Sequence, residues 1–179
     1  MRTLLRDSRF GEVQNAAATT RHVAQAALGD GVETWLYLHD TPGLEDAGGV
    51  LDWLEENTSP QHEGIERLQQ FLDSPAAQNE WAQEAKVLRQ VLASDAALYV
   101  VDAREDVLPK YKDELTVLSW CAKPVMPVFN FIHGQNMDEW QTLLARRSLH
   151  VSSRFDTVAF DFSGEMVLWQ QLATLLGQP

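Results

Sequence analysis

Asp40-Thr41-Pro42-Gly43 is the stretch of this chain whose residue types and spacing best suit phosphate chemistry. It closes the run Val-Glu-Thr-Trp-Leu-Tyr-Leu-His at residues 32–39 and leads into an irregular polar segment. In open α/β sheets, ligands bind at the carboxyl ends of strands. An Asp at such an end can hold Mg²⁺ through a water. A Gly three residues on can offer its backbone N–H to a terminal phosphate, because no side chain blocks the approach. Asp, Pro and Gly are also common turn formers, so a plain strand-to-helix turn is the competing reading. One hairpin upstream lies Ala16-Ala17-Ala18-Thr19-Thr20-Arg21, which has no periodicity. A loop Thr there can ligate Mg²⁺ and sense a γ-phosphate, as ordered switch segments do; capping or solvation is the plainer role. Asp102 and Asn130 each end a further apolar run, and each also suits a turn.

The elements that must position these residues follow from periodicity. Runs at 22–28 and 32–39 flank Gly29-Asp30-Gly31, a hairpin signal, so the pair is expected to be antiparallel. A helical region follows from 48 to 56, with Ile65, Leu68, Phe71 and Leu72 recurring at helical spacing beyond it. Ser74-Pro75 predicts a restart, and Trp81, Ala85, Leu88, Val91 and Leu92 form the next apolar stripe. The run at 96–101 reads as a strand buried on both faces of a parallel sheet. Helix is expected over 110–122, strand over 125–132, helix over 137–147, strand over 155–162 and helix over 165–176. Roughly five strands and at least five helices, alternating after position 32, predict an α/β fold with helices on both faces of the sheet.

Composition narrows the partners. The chain has 179 residues, of which 45% are hydrophobic and 22% charged, enough to build one packed domain. With 14 basic against 26 acidic residues the net charge is −12, which argues against nucleic acid and against a polybasic hold on anionic lipid. The single cysteine, Cys121, has no partner for a disulfide and suits a reducing cytoplasm. No run approaches the roughly 20 apolar residues of a membrane span, and the first residues do not read as a signal peptide. The histidines lack metal-ligand spacing. The acidic stretch Glu45, Asp46, Asp52, Glu55 and Glu56 reads as a solvated, mobile face.

Taken together, Thr19/Thr20, the hairpin, Asp40-Thr41-Pro42-Gly43 and the alternating remainder resemble a small P-loop GTPase of the Era-like group. The stretches Glu84-Ala-Lys-Val-Leu-Arg-Gln90 and Tyr99-Val-Val-Asp-Ala-Arg-Glu105 narrow the resemblance. It is to the GTPase domain of bacterial proteins that carry a further C-terminal domain of unknown function. It covers nearly the whole chain. It implies GTP/GDP and Mg²⁺ as cofactors, and an effector protein or the C-terminal domain as partner. Thr20, or its neighbour Thr19, would be the switch I Mg²⁺ ligand. Asp40, also on the Mg²⁺ side, and Gly43 would be the switch II pair. Asn130 would be what remains of the base-reading motif. Leu44 stands where many GTPases keep a water-positioning Gln, which implies slow hydrolysis or a catalytic group supplied from elsewhere.

Two departures shape the expectation. No Gly-x-x-x-x-Gly-Lys-Ser/Thr occurs in the sequence, so nucleotide binding by these residues alone is expected to be weak or absent. The resemblance places that loop and its strand just before Met1. It also places the strand centrally, between the 32–39 and 96–101 strands. The expected fold is therefore a three-layer GTPase-like sheet, mostly parallel with an antiparallel hairpin edge, lacking its first strand and phosphate loop. Unpaired backbone groups at the open edges would cost roughly 1–3 kcal/mol each, favouring re-pairing or self-association. In addition, Asn130-Phe131-Ile132-His133 departs from Asn-Lys-x-Asp: His133 does not replace the guanine-reading Asp, and Phe131 would stack where the Lys packs. These departures keep open an alternative, a non-catalytic protein-interaction module on the same α/β scaffold.

Overall fold

The computed structural model describes residues 23–157 and 162–177. Thr19, Thr20 and the predicted strand start at His22 lie outside them. The chain divides into two compact units, Met1–Ala93 and Ser94–Pro179.

In the first unit, strands β1 (Ala24–Gly29) and β2 (Thr34–Asp40) form the expected antiparallel hairpin, with Ala24 opposite Asp40 and Leu28 opposite Leu36. The turn is built by Asp30. Its Oδ1 accepts from the amides of Val32 (2.9 Å) and Glu33 (2.8 Å), and these bonds hold its carboxyl below the usual range. Gly31 sits at φ +89°, a conformation that a side chain would strain. Helices α1 (Ala47–Asn57), α2 (Gly64–Leu72) and α3 (Ala82–Ala93) follow. Their apolar stripes bury Val50, Leu54, Leu68, Phe71, Ala85 and Leu88. Arg67 clasps the end of α1, donating to Leu54 O (3.0 Å) and Thr58 Oγ1 (2.6 Å). The helix predicted to restart at Ser74-Pro75 is instead a single 3₁₀ turn, Ala76–Gln78, and α3 begins only at Ala82. Side chains compete for the backbone there: Ser74 Oγ donates to Phe71 O (2.6 Å) and Asn79 Nδ2 to Pro75 O (2.8 Å).

The second unit is a three-stranded parallel sheet in the order β3-β4-β5. Its elements run β3 (Ala97–Asp102), α4 (Pro109–Trp120), β4 (Val125–Asn130), α5 (Asp138–Arg146), β5 (Ser153–Arg154) and α6 (Phe162–Leu175). Central β4 is buried from Val125 through Phe129, as a strand covered on both faces must be, whereas β3, expected to be such a strand, is not: it stands at the end of the strand order, Val100 is 65% exposed and Val101 alone of Ala97–Asp102 is buried. Val101, Leu115, Phe129, Trp140, Leu143 and Leu144 form one buried cluster. The Trp140 indole is satisfied by Glu105 O at 2.9 Å. The last predicted strand, 155–162, is corrected to the two residues Ser153–Arg154; 155–157 continue without strand geometry, and 158–161 lie outside the described residues. Phe155 still donates to Phe129 O at 2.9 Å, but the next amide, that of Thr157, turns to a side chain, which ends the ladder.

The α/β class is therefore as expected, but the strands stand as two sheets where the sequence anticipated one. Among the described residues no third strand flanks β2 or β3, so each keeps a single partner. No helix among them is long and apolar enough to cross a membrane.

Candidate functional site

Each unit carries sequence-predicted residues at the end of a strand. In the first unit the hairpin ladder ends at Asp40, whose residue is half-buried. Pro42, two residues on, is buried and has no N–H with which to continue the ladder. Gly43 is exposed, and a Cβ placed on it would meet nothing within 4 Å. The structure thus delivers a strand-end carboxylate and, three residues on, a backbone with open space beside it.

The acidic stretch is an exposed face, as the sequence implies, and its first two residues, Glu45 and Asp46, are also bonded to the body of the unit. Their side chains are exposed, yet the backbone is held by the first turn of α3. Gln83 Nε2 donates to Gly43 O at 3.0 Å. Glu84, only 4% exposed, accepts on one oxygen from the amides of Glu45 (3.1 Å) and Asp46 (3.0 Å). Asp46 caps α1 by accepting from Gly49 N at 2.9 Å, and its other oxygen accepts from the Trp81 indole, also at 2.9 Å. Gly49 is required by this packing: a Cβ there would lie 2.2 Å from Asp46 Oδ2 and 2.9 Å from Trp81 Nε1. Trp81 meets Phe71 edge-on at 6.4 Å, and Phe71 meets Trp53 at 5.3 Å.

In the second unit Asp102 and Asn130 pair in register at the carboxyl ends of β3 and β4. Asp102 grips Arg104 through a fork, Nε to Oδ1 at 2.9 Å and a terminal nitrogen to Oδ2 at 2.6 Å. Those bonds, with the Arg104 amide, hold the Asp102 carboxyl below its usual range. The guanidinium lies 3.9 Å from the centre of the Phe131 ring. Phe131 itself has φ +57°, uncommon for a residue with a side chain. It is held there by Asn130 Oδ1 accepting from its amide (2.9 Å) and by Asp156 accepting from Ile132 N (3.1 Å). The same Asn130 oxygen accepts from Thr157 N (2.9 Å) and Thr157 Oγ1 (3.0 Å). Asn130 is thus a joint between the end of β4 and residues 156–157. Its Nδ2 has no partner among the described residues. His133 is exposed.

Of the predicted site residues, Asp40 and Gly43 fall in the first unit and Asn130 in the second, while Thr19 and Thr20 lie outside the described residues. Sequence reasoning did not find Glu84, Gln83, Arg104 or Thr157. Glu84 carried a signal, since it lies one helical turn from both Trp81 and Leu88 on the apolar stripe of α3, where a carboxylate needs a reason. The bonds of Thr157 to Asn130 span 27 positions and leave no local trace. Among the described residues no group of three or more His, Cys, Asp or Glu is placed to hold a metal ion by itself. No family model matches this sequence, and no curated protein does.

Proposed function

We propose that this chain carries the switch and base-side elements of a GTPase-type nucleotide switch domain of the Era-like P-loop group. One observation carries the reading: Asp40 ends a strand half-buried, and Gly43 follows it with open space at its Cβ position. Asp40, with Thr20 or Thr19, would hold Mg²⁺; Gly43 would face the terminal phosphate; Asn130 would serve the base through its Nδ2. Bound nucleotide would supply the phosphoryl group whose hydrolysis releases these segments. The proposal puts the phosphate loop outside these 179 residues, since they contain no such motif. The test is calorimetry with Mg·GTP, and Mg·ATP as control, on this chain and on any longer product that its coding sequence specifies. Mg²⁺-dependent GTP binding that Asp40→Ala abolishes, with turnover in the longer product, is expected. Neither binding nor turnover in that product refutes the reading.

A second reading, the non-catalytic interaction module, is favoured by Asn130, whose oxygen is fully engaged within the fold, and by Phe131 and His133 in place of Lys and Asp. Under it neither nucleotide binds, in either form of the protein.

A further inference from the structure

We propose that residues 43–49 form a latched strap: one cooperative piece that the first turn of α3 holds shut, and that opens as a unit while α3 stays folded. The inference does not rest on the nucleotide reading, and its test uses none.

The geometry points to one piece because the contacts share atoms. A single oxygen of Glu84 serves two consecutive amides, Glu45 and Asp46. The Asp46 side chain joins those amides to two further groups, the α1 cap at Gly49 and the Trp81 indole. Gln83 closes the other end at the Gly43 carbonyl. Releasing Asp46 from Trp81 therefore loosens the α1 cap, and releasing Glu84 frees both amides at once. The strap itself is poor in apolar anchors: Gly43, Glu45 and Asp46 are exposed, and Ala47 is the buried residue among 43–49. By contrast α3 is anchored by fully buried Ala85 and Leu88. Segments with few buried apolar contacts open at lower free energy than the helices beneath them. Glu84 is the centre of the latch, because the residue is buried and its bonded oxygen would have to accept from water on opening.

Native-state hydrogen exchange, resolved by NMR, tests this on the 179-residue chain. In the wild type, the amides of Glu45, Asp46 and Gly49 are expected to share one opening equilibrium, well above that of Leu88 and Val91 in α3. Glu84→Ala is expected to speed exchange at all three strap amides together, by about tenfold or more for a lost charged acceptor, and these amides keep a lower opening free energy and a weaker dependence on denaturant than Leu88 and Val91. Trp81→Phe, which keeps the ring and loses the indole donor, is expected to speed the same three by a smaller common factor. Should Glu84→Ala fail to fold, Gln83→Ala and Gly49→Ala probe the strap from its two ends and are expected to accelerate the same set. If each variant changes only the amide it touches, the strap is not one piece. If the strap amides share the opening free energy and the denaturant dependence of Leu88 and Val91, opening is global unfolding; either result overturns the proposal.

Discussion

Truncating Asn130 should separate its structural role from any role in reading a base. Asn130→Ala removes the acceptor of three donors: the amides of Phe131 and Thr157 and the Thr157 hydroxyl. An ordinary hydrogen bond contributes about 0.5–1.5 kcal/mol net, and an amide left unpaired in a part-buried place costs towards the upper end. The Thr157 hydroxyl can rotate to water, so it counts least. The sum is a loss of about 2–3 kcal/mol, or roughly a 30- to 150-fold shift towards the unfolded form of the second unit. Release of Phe131 from φ +57° would offset a small part of that loss, since the Asn130 bond helps to hold it there. Thr157→Val is the internal control. It removes the hydroxyl donor and leaves both amides served, so it should cost about 0.5–1.5 kcal/mol. The assay is urea unfolding of the second unit, followed by labelling of Cys121, which is buried in that unit. The reasoning fails if Asn130→Ala stays within about 0.5 kcal/mol of wild type, the ordinary range of surface substitutions. It fails equally if Thr157→Val costs as much as Asn130→Ala.

Two further outcomes follow from buried titrating groups in the same unit. Glu114 accepts from Tyr99 Oη at 2.5 Å, and burial raises its carboxyl above the ordinary 4.5, outweighing the pull of that bond. A raised folded-state pKa means the stabilisation is complete below 4.5 and is lost as pH climbs through the raised value. Glu114→Gln cannot ionise, so its unfolding midpoint should fall less than the wild type's across that window; parallel profiles would sink the assignment. Tyr99, pushed up first by burial and then by Glu114, keeps its proton throughout. Cys121 is 0% exposed and burial pushes its thiol up to about 12, so the folded chain should react with a maleimide at neutral pH ~1,000-fold slower than the urea-unfolded chain. A native rate within tenfold of the unfolded one would show that this part of the unit opens freely.

What the sequence disclosed and what it withheld divide along the range of the interactions involved. Gly29-Asp30-Gly31 specifies its hairpin through bonds from Asp30 to the amides two and three residues on, so a local reading suffices. The apolar run at 96–101 misleads, because it reads as a strand covered on both faces, whereas β3 has Val100 exposed and the strand covered on both faces is β4. Ser74-Pro75 misleads because two readings of one local signal compete: Ser and Pro suit a helix start, but Ser74 and Asn79 spend their side chains on nearby carbonyls and stop at one 3₁₀ turn. The candidate sites were half legible for the same reason. Asp40 and Gly43 stand out because strand end, Pro and Gly are neighbours in the chain. What fixes the residues after them is not local: Glu84 reaches back 39 positions to Glu45 and Trp81 reaches 35 to Asp46. The sole trace is a carboxylate on an apolar helical stripe, and its meaning depends on which amides the fold brings to it. Asn130 shows the converse. Its type and strand-end position invite a ligand role, whereas the fold spends its oxygen on Phe131 and Thr157. A polar residue at a sheet's carboxyl edge therefore has to be counted atom by atom. At Asn130 that count gives the oxygen to the fold, with three donors on it.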